Sequence, residues 1–249
     1  MISGALVGLV LGLFGSGGST LAIPLLHYFI GVESKPAIAM SLVVVGVAAL
    51  YGFYRNWRGG QVSVRSGLIL GVSGVLGGFG GAKLSVFLTG EQQLLLFSII
   101  VILAAGSMIK KTFFSKENEG EEQDKEVPLL GGVLAGLAIG VLTGLVGVGG
   151  GFLIVPVLHA FGVSLKRAIG TSLMIISFNA ASGAMGYIGL VEYDWSLLGS
   201  FIATALVATQ IGVALVHRLP VVIMKKSFAI FLLILGIAML IKNSSQVLG

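Results

Sequence analysis

The chain of 249 residues contains no cysteine, three histidines, five prolines and only ten acidic residues. Without cysteine there is no disulfide framework, no thiolate metal site and no thiol redox chemistry. A soluble domain carries about 25% charged residues; here 10% are charged and 56% are hydrophobic. The acids are also poorly placed for chemistry. Glu33, Glu91, Glu192 and Asp194 stand at the edges of hydrophobic runs and the other six share one linker. No carboxylate is therefore left inside a membrane segment for a proton relay, an aspartyl protease or a cation cage. HExxH and GxxxxGK[ST] are missing, which excludes zinc peptidase and P-loop chemistry; no enzyme and no cofactor is expected. The net charge of +5 is no nucleic-acid footprint, because Lys and Arg flank hydrophobic runs, where they orient a protein in a bilayer. MISGALVGLV has no basic n-region, so it reads as a retained segment and not a cleaved signal.

What is abundant is apolar length and glycine. Hydrophobic segments fall at roughly 2–30, 37–54, 67–88, 93–109, 129–161, 168–187, 196–216 and 227–241. They predict an all-α polytopic membrane protein. The stretch SKENEGEEQDKEVP, from Ser115 to Pro128, holds six acids and two lysines and reads as a flexible exposed linker. It divides the chain into a first membrane repeat (1–114), the linker (115–128) and a second membrane repeat (129–249).

The halves are related. GLFGSGGSTLAIPLLHYF (Gly12 to Phe29) and GLVGVGGGFLIVPVLHAF (Gly144 to Phe161) agree at ten of eighteen positions at an offset of 132. At an offset of 131, Gly31-Val32, Lys35, Ser41-Leu42 and Gly52 match Gly162-Val163, Lys166, Ser172-Leu173 and Gly183. Internal duplication marks many transporter folds. Elsewhere glycines recur four apart, as in Gly132, Gly136, Gly140 and Gly144 or Gly74 and Gly78. That spacing lets membrane helices approach closely.

Segments 2–30 and 129–161 are too long for the core. A continuous helix of 29 residues is about 43 Å long against roughly 30 Å of hydrocarbon. Each is either a tilted span or a pair of half-helices of about 18 Å that turns at the glycines and leaves on the side it entered. The basic residues favour the second reading. Eight straight spans divide the loop Lys and Arg eight against six. Six spans with two re-entrant segments leave Lys35 and Lys242 on one side and collect twelve on the other: Arg55, Arg58, Arg65, Lys110, Lys111, Lys116, Lys125, Lys166, Arg167, Arg218, Lys225 and Lys226. That is a strong positive-inside bias. The expected fold is two inverted repeats, each a glycine-broken re-entrant pair plus three transmembrane helices. Both termini lie outside and the linker lies in the cytoplasm.

A broken helix exposes unpaired N–H groups at the start of its second half, backed by the positive end of its dipole. Two inverted breaks would set Gly15, Ser16, Gly17, Gly18 and Ser19 against Gly147, Gly149, Gly150 and Gly151 near mid-membrane. Ser16, Ser19 and Thr20 add hydroxyls in the first copy. Such a cradle suits a small oxyanion; tight packing turns are the plainer alternative. Lys83 is the only basic residue well inside a segment, with snorkelling to the outer end as its alternative. His27 and His159 recur at matching positions and offer donors or proton carriers, or shared packing. Asn179, whose counterpart is Ala48, could line the path or glue helices; Ser41, Thr171, Ser172 and Gln210 are weaker candidates of the same kind.

At GSGGSTLAIPLL and GVGGGFLIVPVL, followed by KPAIAMSL and KRAIGTSL, the chain resembles the TauE/SafE (sulfite exporter, TSUP) family. The resemblance runs from Gly12 to about Leu240. It implies transport of a small sulfur-containing anion, such as sulfite or an organosulfonate, across the plasma membrane. Ser19 replaces the third glycine found at Gly151, so the two breaks need not bind alike. An anion channel and a non-transporting scaffold subunit are the competing functions. The expected partners are the anion, the bilayer and a further copy of the chain.

Overall fold

The computed structural model describes residues 4–9, 20–114, 126–147, 150–216 and 221–248. Among them the only β pairing is an isolated bridge between Ile188 and Val191. Residues 4–9 are helical (α1). Ala22–Pro24 (α2) continues into a π-helical turn, Leu25–Phe29. Then follow α3 (Ser34–Arg58), α4 (Val64–Leu84), α5 (Gly90–Phe114), α6 (Leu129–Val146), α7 (Gly151–Ala160), α8 (Leu165–Tyr187), α9 (Trp195–Val216) and α10 (Val221–Leu248). Five stretches among the described residues are long and apolar enough to cross a bilayer: Ser34–Arg58, Val64–Phe87, Gly90–Lys110, Leu129–Val146 and Lys166–Tyr187. Leu76, Leu103, Leu130 and Ile234 are exposed. Such an apolar exterior is stable only in lipid.

Local chemistry sets several helix ends. Thr89 and Gln92 form a reciprocal capping box at the start of α5: the Gln92 N–H donates to Thr89 Oγ1 at 3.2 Å and the Thr89 N–H donates to Gln92 Oε1 at 2.9 Å. Asp194 caps α9 by accepting from the Leu197 N–H at 2.9 Å.

Glycine ridges set the packing. Along α6, Gly132, Gly136, Gly140 and Gly144 face Leu70, Ser73, Gly74 and Gly78 of α4 in ascending order, so these helices run the same way. Thr171, Phe178, Asn179 and Ser182 of α8 face Gly67, Gly71, Gly74 and Gly78 of α4, so α8 runs the same way too. A β-carbon on Gly140 or Gly144 would collide with the carbonyl of Gly74 or Gly78. Bare backbone against bare backbone is what small residues four apart permit.

Helix α3 runs opposite to α8. A β-carbon on Gly52 would lie 3.0 Å from Leu173 Cδ1, and one on Gly183 would lie 3.1 Å from Leu42 Cδ1. Gly52 matches Gly183 and Leu42 matches Leu173 in the duplicated sequence, so the two contacts pair matched residues crosswise. Gly31 and Gly162, also matched, both have positive φ (85° and 93°). The following Val32 and Val163 each donate to the carbonyl of Leu26 or Leu158 at 3.1 Å.

Helices α6 and α8 run in one direction. The start of α6 and the end of α7 meet: a β-carbon on Gly131 would lie 3.2 Å from Phe161 Cε1. The ends of the bundle differ in charge. Arg55, Arg58, Arg65, Lys166 and Arg167 gather where α3 ends and α4 and α8 begin, and Arg65 pairs there with Glu126. Glu33, Glu91, Glu192 and Asp194 flank the opposite ends of α3, α5, α8 and α9.

This packing predicts a contrast between glycines. Gly144→Ala should cost about 1–3 kcal/mol or more through overpacking. Gly106→Ala, with nothing within 4 Å of the new methyl, should be neutral or gain up to about 1 kcal/mol of helix propensity. Thermal unfolding in detergent reads both, and equal melting temperatures for the two variants would contradict the ridge.

Candidate functional site

The site is the interruption between α6 and α7. Gly147 closes α6 with φ 75°, its N–H donating to Thr143 O at 2.9 Å, and Gly150 opens α7 with φ 64°. Both angles lie in the left-handed region that glycine reaches without steric cost. The arms are unequal. Helix α6 is 18 residues long, about 27 Å, and α7 is 10 residues long, about 15 Å. The two helices flanking the break are thus unequal in length, where matched halves were expected.

The break lies beside the ends of neighbouring helices. Gly144 lies beside Ala82 and Gly183, near the last turns of α4 and α8, and Gly147 packs on Ile38 near the start of α3. Ser41 Oγ lies 2.6 Å from Ile38 O and 2.8 Å from Gly147 O and shares its proton between them, tying the turn to α3.

A hydroxyl that sequence reasoning missed points into this turn. Thr143, in the last turn of α6, is 1% exposed, and its Oγ1 has no hydrogen-bond partner among the described residues. It lies 2.8 Å from where a β-carbon on Gly150 would stand. It stands one residue before the glycine motif and its counterpart in the first half is Leu11, so the internal repeat carries no sign of it. The interruption thus combines the positive end of the α7 dipole with a buried hydroxyl free to donate.

Of the other candidates, Gly15, Ser16, Gly17, Gly18, Ser19 and Gly149 lie outside the described residues. Thr20 is buried directly before α2. Gly151 is the first residue of α7. Asn179 is fully buried against Gly74 between α4 and α8, and neither carboxamide atom has a partner among the described residues. The glue reading requires a hydrogen-bonded partner helix, which is not found. His27 Nδ1 lies 2.8 Å from Val32 O and His159 Nδ1 lies 3.3 Å from Val163 O, so each ring fastens the loop after its own short helix. Lys83 is exposed at the end of α4, its ammonium 5.6 Å from the centroid of the Phe79 ring. Thr171 Oγ1 accepts from the Ser63 N–H at 2.8 Å, Ser172 bonds within its own helix, and Gln210 accepts from Arg55 at 3.4 Å.

A cavity of about 860 Å³ opens between α3 and α8, lined by residues such as Leu42, Val43, Phe178, Met185 and Trp195. Its walls are almost wholly apolar and offer an anion few donors. At its rim Tyr193 donates to Ala184 O at 3.0 Å. Burial, and secondarily the neighbouring Tyr187, push its phenol pKa up to about 12. It stays neutral at physiological pH.

An apolar exterior and close-packed glycine helices define a multi-pass helical membrane protein. The profile of the family described as Sulfite exporter TauE/SafE matches residues 1–239, and the chain belongs to that family. Its relatives include the "Probable membrane transporter protein YdhB" of Bacillus subtilis, 28% identical over 236 residues covering 94% of this chain and 96% of the relative. A "Probable membrane transporter protein" of Xylella fastidiosa (strain 9a5c) is 33% identical over 228 residues, covering 87% and 83%. One of Haemophilus influenzae is 27% identical over 270 residues, covering 97% of each chain. No solved structure matches significantly.

The aim of Thr143 can be tested by coupling. Gly150→Ala meets both an unfavourable φ, about 1–2 kcal/mol, and the Thr143 hydroxyl. Adding Thr143→Ala should recover the collision part and leave the backbone part, giving a coupling energy above about 0.5 kcal/mol in a double-mutant cycle of unfolding. Strict additivity would show that the two residues do not meet.

Proposed function

We propose that the protein is a secondary transporter that exports sulfite or a small organosulfonate across the plasma membrane by alternating access, with the interrupted helices as its anion seat. The observation that carries this reading is the buried Thr143 hydroxyl, which has no partner among the described residues and is aimed at Gly150, from which α7 starts. A small oxyanion satisfies it. The oxyanion also meets the positive dipole end of α7 and reaches the backbone where glycine leaves no side chain in the way.

The transporter topology has separate support. The shared direction of α6 and α8, with Gly131 near Phe161, favours a re-entrant second segment. The reciprocal Gly52–Leu173 and Gly183–Leu42 contacts between antiparallel helices favour inverted repeats. In this reading residues 1–114 and 129–249 are the two repeats, 115–128 is the cytoplasmic linker, and the basic end of the bundle is cytoplasmic by the positive-inside bias. Gly15, Ser16, Gly17, Gly18, Ser19 and Thr20 form the equivalent seat of the first repeat. Asn179 offers the anion a polar contact part-way along the bundle. Lys83 attracts it at the far mouth, and the histidines keep their loop-fastening role.

Direction follows from charge. A membrane potential that is negative inside favours outward movement of an anion by about 2.3 kcal/mol per charge per 100 mV. Export therefore proceeds without a dedicated proton carrier, in keeping with the absence of carboxylates inside the spans.

Transport by purified protein in proteoliposomes tests the proposal. Labelled sulfite and sulfoacetate should move saturably under an imposed potential, with sulfate as control. Thr143→Val, which keeps the shape and removes the hydroxyl, should fold normally and weaken anion affinity about tenfold; Thr143→Ser should retain it. Wild-type affinity in a folded Thr143→Val variant would remove this seat from the proposal. Ohmic, non-saturating currents would replace the carrier by a channel.

A further inference from the structure

The C-terminal end of α6 carries a second polar cluster that the anion seat does not use. Gln93, three residues into α5, is fully buried; its Nε2 donates to Leu145 O at 2.5 Å and to the Tyr187 phenol oxygen at 2.9 Å. Tyr187, the last residue of α8 and also fully buried, donates to the same Leu145 carbonyl at 3.2 Å. Ser85, directly after α4, is 1% exposed and stands beside that phenol. Four helix ends therefore converge on one point, in the apolar surroundings of Ala82, Leu94, Val146 and Phe97. Gln93 Oε1 has no partner among the described residues, and Ser85 Oγ has only the Tyr187 phenol beside it, outside good hydrogen-bond geometry.

The chemistry of the surplus atoms selects the ligand. A carboxamide oxygen only accepts, so an anion is repelled and a cation or a hydrogen-bond donor is required. The helix behind the cluster ends here and presents the negative end of its dipole. The donor set is neutral oxygen throughout, and among the described residues no three His, Asp or Glu side chains converge to hold a metal. That is too little charge for a divalent ion and enough for a hard monovalent one. The cluster lies at the end of the bundle where Glu33, Glu91, Glu192 and Asp194 are found together with Lys35 and Lys83, so the surrounding charge is mixed and the donor set itself selects the cation. Glu91 is two residues from Gln93.

We infer that Gln93 Oε1, Ser85 Oγ and the Tyr187 phenol oxygen form a seat for a small monovalent cation of the sodium type at the C-terminal end of α6. The cation faces the anion seat across the Gly147–Gly150 interruption, one at the negative dipole end of α6 and the other at the positive end of α7. Occupancy of either seat then favours the other reciprocally. This role for the cation rests on the anion-seat reading, but its binding does not. A bound cation also cancels one anionic charge, which reduces the electrical drive toward export by that charge.

The test is the full-length protein in detergent or nanodiscs, titrated with sodium gluconate against choline gluconate at matched ionic strength, first without anion. Sodium should raise the melting temperature by about 2 °C or more. With sulfite present, it should increase anion affinity about fivefold or more. Gln93→Leu and Ser85→Ala should lose the sodium shift. Gln93→Glu separates binding from scaffolding: it forfeits the Nε2 donor and keeps the oxygens, so a cation seat predicts a sodium shift equal to or larger than wild type. A merely structural glutamine predicts an unstable variant that sodium does not rescue. Identical melting in sodium and choline would overturn the inference and leave water as the occupant. A sodium shift without any sulfite effect would uphold the seat and count against the anion reading instead.

Discussion

Inside a bilayer every backbone amide and carbonyl has to find its partner within the protein, and the end of α6 shows how this chain meets that requirement where a helix stops. The rest of the structure makes the interruption possible. Helix α6 can end within the bundle because its glycine face lies directly on α4, with Gly140 against Gly74 and Gly144 against Gly78. Ser41 holds the Gly147 carbonyl, and Gln93 and Tyr187 hold the Leu145 carbonyl. The C-terminal end of α6 is thus held from three other helices. Three of the six buried side-chain atoms without a partner among the described residues belong to Thr143, Ser85 and Gln93 around this end; the others belong to Asn179 and Asn243.

The interruption separates charge without using charged residues. A helix that stops and another that starts a few residues later place opposite dipole ends side by side, each worth roughly half an elementary charge. A carboxylate or lysine at the same depth would carry a desolvation cost in every conformation. Dipole ends and hydroxyls carry less, and they bind weakly enough to release. A carrier needs both properties.

Much of the architecture was legible in the chain. Apolar length located the helices, with ends that differ by up to seven residues, and glycines four apart marked the α4–α6 and α4–α8 contacts. Matched pairs such as Gly52 with Gly183 and Leu42 with Leu173 turned out to contact each other crosswise. The site was read less completely. Thr143 reaches the turn from the residue before the glycine motif, and the internal repeat carries no sign of it. Gln93, Ser85 and Tyr187 come from three separate helix ends, and no spacing in one dimension brings them together. The unequal arms escaped as well, because the apolar run 129–161 carries no mark of where α6 stops beyond the glycines themselves.

The account stands on the chain leaving the second interrupted segment on the side it entered, and site-directed labelling tests that most directly. The absence of native cysteine permits single substitutions Lys35→Cys, Arg58→Cys, Lys166→Cys and Glu192→Cys in intact cells, probed with a membrane-impermeant thiol reagent. The account predicts labelling at positions 35 and 192 and protection at 58 and 166 until the membrane is opened. Labelling of Lys166→Cys from outside would mean that the segment crosses, and the inverted-repeat arrangement would fall with it.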